Sequence, residues 1–254
     1  MGKEQVYVHF VGAGPGDPEL ITVKGRRLLE EADCVVYAGS LVEEKVLKYC
    51  RPGVEVFNSA SMDLGEIMAV MVSRARAGKR VVRVHTGDPS LYSAMREQAD
   101  LLDRESIPYE VVPGVSSAFA SAAALKKELT APGVTQTVIF TRLAGRTPVP
   151  EAESLSSLSR HGATMCVFLS ASMMDKVVEE LSAGYGPQTP AAVVYKATWE
   201  DERVITGTLS GIADMAKTAG ITRHALIIVG RAVGEGEAGL SRLYDSAFKH
   251  GYRK

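Results

Sequence analysis

Three stretches of this chain end a run of β-branched residues in a glycine turn that carries groups able to hold a small polar ligand. They are Val11-Gly12-Ala13-Gly14-Pro15-Gly16-Asp17-Pro18, Arg83-Val84-His85-Thr86-Gly87-Asp88-Pro89, and Val112-Pro113-Gly114-Val115-Ser116-Ser117. Glycine lets backbone approach backbone or ligand closely, and Pro89 can sit only in a turn or a first helical turn, so each strand must stop where its polar groups begin. Spacing excludes several chemistries. The first loop has glycines at 12, 14 and 16 but Asp17 where a dinucleotide fingerprint needs its third glycine, and Pro15 removes one N–H. The next strand ends in Ala38-Gly39-Ser40, with no acidic residue to hold a ribose. There is no Gly-Lys-Ser/Thr phosphate loop and no Gly-x-Ser-x-Gly elbow. What remains is a small ligand bearing both charges, with Asp88, Tyr92, Ser116 and Ser117 close to the turns.

His85 immediately precedes the second turn and is a candidate proton carrier, or else a hydrogen-bonded scaffold residue. Arg83, Arg142, Arg146 and Lys196 stand at or near strand ends, where long cations are able to converge on a carboxylate-rich substrate. The five histidines are scattered and the three cysteines form no Cys-x-x-Cys, so neither a metal site held by the protein nor a disulfide framework is expected.

The elements that must position these residues follow from local pattern. Strands are expected at Val6–Val11, Asp33–Tyr37, Val54–Phe57, Arg80–Val84 and Tyr109–Val112. Between them, Thr22 caps a helix through Ala32, and helices are expected from Glu43 to Tyr49, Asp63 to Ala77, Ser90 to Leu101 and Ala118 to Leu125. Strict alternation predicts a parallel sheet with right-handed crossovers. After Pro132-Gly133 the pattern restarts, with strands at Val138–Thr141, Met165–Leu169, Ala191–Lys196, Arg203–Gly207 and Ala225–Gly230 and a helix from Asp175 to Leu181. The short strands near 200 point to a mixed second sheet. The domains expected are 1–118, 119–233, and a linker and tail at 234–254. In that tail Leu240, Leu243, Tyr244, Ala247 and Phe248 share a helical face that would dock on this subunit or a partner.

Composition narrows the partners. The 254 residues are 46% apolar and 23% charged with a net charge of −1, ordinary for a globular enzyme and without the basic excess of a nucleic-acid binder. The first strand is too brief for a signal-peptide core and Val6 occupies the hydroxyl position of an N-myristoylation motif. No stretch nears the roughly 18 apolar residues of a membrane span. A cytoplasmic protein is expected.

Taken together, Val11–Thr22, His85–Tyr92 and Val112–Ser117 resemble the tetrapyrrole methylase family, S-adenosylmethionine enzymes that decorate corrin and sirohaem precursors. Within it, Thr141–Glu151, Val194–Trp199 and Ser241–Asp245 are similar to the branch that methylates C11 of precorrin-4. The resemblance implies two α/β domains, an N-terminal parallel sheet and a C-terminal mixed one, with the methyl donor in the cleft between them and usually a homodimer. By motif position it implies that Pro15, Gly87, Asp88, Tyr92, Ser116 and Ser117 line the donor from the first domain, and Leu169, Ser170, Ala197 and Ala225 from the second. Arg83, Arg142, Arg146 and Lys196 would then meet substrate carboxylates. Some relatives carry an aspartate after the second strand; here Ala38-Gly39 stands there, so no base is assigned at that place. The activity implied is methyl transfer to C11 of precorrin-4 or its cobalt form, with S-adenosylhomocysteine as product. Two other readings stay open: a sister methylase acting at another ring position or on diphthamide, and a non-catalytic tetrapyrrole or nucleotide carrier.

Overall fold

The computed structural model describes residues 7–235 together with 248, 249 and 251. The chain divides into two compact units: the first holds the chain up to Ala120 and also Ala197–Asp201, and the second holds Ser121–Lys196 and the chain from Glu202 onward.

Five strands build the first unit: β1 (Val8–Gly12), β2 (Cys34–Tyr37), β3 (Glu55–Asn58), β4 (Val81–His85) and β5 (Tyr109–Val112). They pair in parallel in the order β3-β2-β4-β1-β5. Every residue of β1, β2 and β4 is buried, the signature of strands covered on both faces. Helix α1 (Val23–Glu30), capped as expected by the Thr22 hydroxyl, packs Leu28 and Leu29 with Val11, Val35, Val82 and Val84. On the other face α2 (Leu64–Arg76) and α3 (Met95–Arg104) pack Met68, Met71, Ala99 and Leu102 with Phe10, Cys34 and Val36. The methionines of α2 are therefore core, and a reciprocal Asp63–Glu66 capping box starts that helix. Adjacent strands β1 and β4 send their connections to opposite faces, which opens the carboxyl edge at their ends to a ligand. Helix α4 (Ser117–Ala124) follows β5.

Two elements differ from expectation. Residues Glu44–Tyr49 form a 3-10 helix instead of an α-helix, with no side-chain cap at its start, and Pro52 keeps the segment from continuing into a longer helix in which α geometry would win. The helix expected from Ser90 begins only at Met95, since Tyr92 and Ala94 adopt left-handed backbone with φ of +53° each. There the Asp88 carboxylate and the Ser93 hydroxyl, bonded to the Ser90 N–H and the Pro89 carbonyl, turn the chain instead.

The second unit carries β6 (Val138–Arg142), β7 (Thr164–Phe168), β8 (Pro190–Tyr195), β9 (Arg203–Thr208) and β10 (Ala225–Val229) in the order β6-β7-β10-β8-β9. Only β6 and β7 are parallel; the other pairs are antiparallel, so this sheet is mixed as expected. One face is covered by α5 (Leu155–Ser159), α6 (Met174–Leu181) and α7 (Leu209–Thr218) around Met165, Val167, Val193 and Ile227. Neither α5 nor α7 was expected. The signal for α7 is the helical spacing of Leu209, Ile212, Ala213 and Ala216, all buried; five residues of leucine and serine gave none for α5.

Cys34 and Cys166 are buried core fillers. Among the described residues no helix is long and apolar enough to cross a membrane, and no group of three or more His, Cys, Asp and Glu side chains is placed to hold a metal ion. The tail helix face expected at Leu240–Ala247 lies outside the described residues; Phe248 is exposed.

Candidate functional site

The carboxyl ends of β4, β1 and β5 are adjacent, and their glycine corners close on one another. The Ala13 N–H donates to the His85 carbonyl at 2.8 Å, and Gly14 and Gly87 exchange backbone hydrogen bonds of 3.3 and 2.8 Å. A side chain on Gly12 would place its Cβ 2.5 Å from the Gly87 oxygen and 2.7 Å from the Gly114 Cα; one on Gly114 would stand 2.1 Å from the Gly87 oxygen. These glycines thus make room first for each other. Gly87 needs glycine for a different reason, a φ of +58°.

Asp88 ties the assembly. Its Oδ2 accepts from the Gly114 N–H at 2.9 Å and its Oδ1 from the Ser90 N–H at 2.7 Å. Behind it, the buried Ser116 hydroxyl accepts from the Ala118 N–H at 3.3 Å and caps α4. The N–H groups of Ser116 and Ser117 find no acceptor among the described residues. A Cβ built on Gly87 would lie 3.6 Å from the Ser116 Cα and 3.8 Å from the Ser117 nitrogen, so Gly87, Asp88, Ser116 and Ser117 do converge. Pro15 is buried and Tyr92 is exposed on its left-handed turn. Such a corner offers backbone donors and an anchored carboxylate, the groups that suit a small zwitterion.

Two candidates are interior groups. Arg83 is 4% exposed; its Nε donates to Gln98 Oε1, and one terminal nitrogen donates to the Val36 carbonyl and the Ser59 hydroxyl, at 3.0 to 3.3 Å. Burial draws its pKa down to about 10. It ties the middle of β4 to β2 and to Ser59, so, contrary to expectation, its side chain is held in the interior and not placed to meet substrate. His85 is 2% exposed with Nε2 unpartnered. Burial first, and the Arg83 charge second, push its pKa down to about 3, so it is a neutral packing residue and not a proton carrier near neutral pH. Between its ordinary value of 6.5 and about 3 the unfolded chain binds a proton that the folded chain refuses, so stability falls as pH falls through that window. We expect His85→Gln to flatten the acid limb of a stability–pH profile and to leave the pH–rate profile above pH 7 unshifted.

A segment from later in the chain completes this unit. Ala197, expected from the second domain, belongs with Thr198 and Trp199 to the first unit. The Trp199 indole N–H donates to the Pro15 carbonyl at 2.9 Å, the Asp17 N–H donates to the Thr198 hydroxyl at 2.9 Å, and a Cβ on Gly16 would strike the indole at 2.1 Å. The sequence signal for this contact was thin: the chain's single tryptophan, and a glycine that no turn requires.

In the second unit, Leu169, Ala225 and Lys196 stand at one edge of the sheet, at the end of β7, the start of β10 and the end of β8. Leu169, Lys196 and His224 there adopt left-handed backbone with φ of +53°, +46° and +53°. Non-glycine residues so strained concentrate at ligand sites. Ser170 is fully buried and its hydroxyl is committed, donating to the Phe168 carbonyl and accepting from the Leu143 N–H; only its backbone can meet a ligand. At the end of β6 the Arg142 guanidinium donates to the carbonyls of Leu143, Thr147 and Pro148, which fixes its loop without neutralising its charge. Arg146, at the tip of that loop, is exposed and pairs with nothing among the described residues.

A family profile described as Tetrapyrrole (Corrin/Porphyrin) Methylases matches residues 7–213. The chain is 55% identical over 248 residues to the cobalt-precorrin-4 C(11)-methyltransferase of Methanocaldococcus jannaschii, covering 97% of this chain and 96% of that protein. Among solved structures, a cobalamin biosynthetic enzyme named cobalt precorrin-4 methyltransferase superposes with a TM-score of 0.87 at 50% identity, over 89% of this chain and 95% of the other. The uroporphyrin-III C-methyl transferase of Thermus thermophilus, complexed with S-adenosyl homocysteine, is similar with a TM-score of 0.76 at 32% identity, over 89% and 98%.

Proposed function

Because this chain belongs to the tetrapyrrole methylase family, we infer that it transfers a methyl group from S-adenosylmethionine to C11 of precorrin-4 or its cobalt form, a step of cobalamin biosynthesis. The observation that carries this is 55% identity across nearly the whole of a cobalt-precorrin-4 C(11)-methyltransferase, joined to a backbone that follows a solved enzyme of that name.

The first unit's corner fits the donor. A sulfonium methyl supplies the electrophile when the donor is bound. Around it Gly87 gives close backbone approach, the free N–H groups of Ser116 and Ser117 suit a carboxylate, and Pro15, Asp88 and Tyr92 complete the lining. Leu169, Ala225 and the backbone of Ser170 are the second unit's donor candidates. Arg142, Arg146 and Lys196 meet substrate carboxylates; Arg83, being interior, is left out of that set. Alignment of donor and acceptor is the protein's main contribution, worth on the order of 7–11 kcal/mol when two reactants are held in line. In this reading the chain is a cytoplasmic homodimer that acts on a small molecule, holds no metal of its own, and engages neither nucleic acid nor membrane.

Calorimetry is expected to show one S-adenosylhomocysteine per chain and no comparable binding of NAD or ATP; the reverse order would support a nucleotide carrier. Mass and NMR analysis of the product should place the new methyl on C11, and any other ring position would identify a sister methylase. Arg146→Ala should weaken substrate binding roughly tenfold, the scale of one charged hydrogen bond, with S-adenosylhomocysteine affinity nearly unchanged. Equal loss of both would reject that role for Arg146.

A further inference from the structure

Wholly within the first unit lies a cleft of about 380 Å³ between the turn Gly16–Pro18, the 3-10 helix that carries Lys45 and Lys48, and Thr198–Glu200. At about 30 Å³ per water it holds roughly a dozen waters, enough for one substituted pyrrole ring and too little for a macrocycle. One wall is the Trp199 indole, immobilised by its hydrogen bond to the Pro15 carbonyl. Lys45 Nζ lies 2.5 Å from Glu200 Oε1, with the two side chains 49% and 86% exposed, and an ion pair that open to water is weak and readily exchanged. Lys48 has no carboxylate within ion-pair distance among the described residues; its Nζ rests 5.1 Å from the centre of the Tyr49 ring. Of the acidic lining, Asp17 turns Oδ1 toward the Glu19 N–H at 2.8 Å, and Glu43 stands at the start of the 3-10 helix.

We propose that this cleft is a carboxylate subsite for the substrate: an acetate or propionate arm enters it, displaces Glu200 from Lys45 and reaches Lys48, while the ring that bears the arm lies against Trp199. Glu200 holds Lys45 in place until the arm arrives. The proposal rests on the tetrapyrrole methylase reading above.

The test is a fluorescence titration with uroporphyrin III, an octacarboxylate, against its neutral octamethyl ester. Lys45→Met and Lys48→Met should each raise the Kd for the acid roughly tenfold, as expected for loss of a charged hydrogen bond. Glu200→Gln should lower it about threefold by removing a weak competitor, and the ester should bind weakly to every form. Lys217→Met, whose partner is Asp175, serves as the control. If the Lys45–Glu200 pair only braces the 197–201 segment, Lys45→Met and Glu200→Gln will weaken binding together, and the proposal fails; unchanged affinity in both lysine variants overturns it as well. Failure of the family reading looks different: the unaltered protein would neither bind S-adenosylhomocysteine nor methylate a tetrapyrrole, whatever the lysine variants do.

Discussion

Gly114→Ala is expected to destabilise the first unit by about 3 kcal/mol, the upper end for overpacking, and to abolish measurable S-adenosylhomocysteine binding. The reason is geometric: the new Cβ would stand 2.1 Å from the Gly87 carbonyl oxygen and 2.8 Å from the Gly12 Cα. Both are backbone atoms, so no rotamer change relieves the clash; the corners of β1, β4 and β5 must separate. Separation breaks the Gly14–Gly87 bridge and pulls the Gly114 N–H from Asp88. At roughly 2–4 °C per kcal/mol for a chain of this size, the melting transition should fall by about 6–12 °C. Gly78→Ala is the comparison, because Gly78 also has a positive φ of +73° but nothing within 4 Å of an added Cβ; it should lose stability through backbone strain alone and keep donor affinity. Equal donor affinity in the Gly114 variant and the unaltered protein would show that the corner is not the donor site.

Asp88→Ala is expected to be nearly as damaging, and more so to binding than to folding. Its two oxygens accept the N–H groups of Ser90, which is exposed and can turn to water, and of Gly114, which is half-buried; leaving a donor such as Gly114 unpaired costs up to about 1–3 kcal/mol. Both N–H groups sit on turns that carry the proposed donor lining, so the turn from 88 to 94 is expected to loosen together with the Gly114 corner. Asp88→Asn keeps one acceptor oxygen but sets an amide N–H against a backbone N–H, so its effect should fall between Asp88→Ala and the unaltered protein. Calorimetric titration with S-adenosylhomocysteine beside thermal melts of the three proteins measures both. If Asp88→Asn and Asp88→Ala bind the ligand as tightly as the parent, the carboxylate is a turn anchor alone.

The glycine corners were legible in the sequence because their evidence is local: a short run rich in β-branched residues, a breaker, then small or hydroxyl residues. Their first task was not. Gly12, Gly87 and Gly114 stand at the ends of three strands that become neighbours only when β1 enters between β4 and β5, and only then do the missing side chains of Gly12 and Gly114 leave room for each other and for the Gly87 carbonyl. The cations divide in the same way. Arg83, Arg142, Arg146 and Lys196 look alike as residues near strand ends, yet Arg83 lies within a central strand whose two faces are both covered by helices, and so becomes interior, while Arg146 at a loop tip stays exposed.

By itself, then, the sequence determined the order of the strands and of the helices other than α5 and α7, the parallel and mixed character of the two sheets, and the family, since propensity, periodicity and motif spacing are properties of neighbouring residues along the chain. The tertiary structure alone decided that His85 is buried and neutral, that Trp199 seats on Gly16, and that Leu169, Lys196 and His224 take left-handed backbone at one sheet edge. Those outcomes depend on which surfaces distant segments cover. Burial, and with it charge state and strain, is set by neighbours in space.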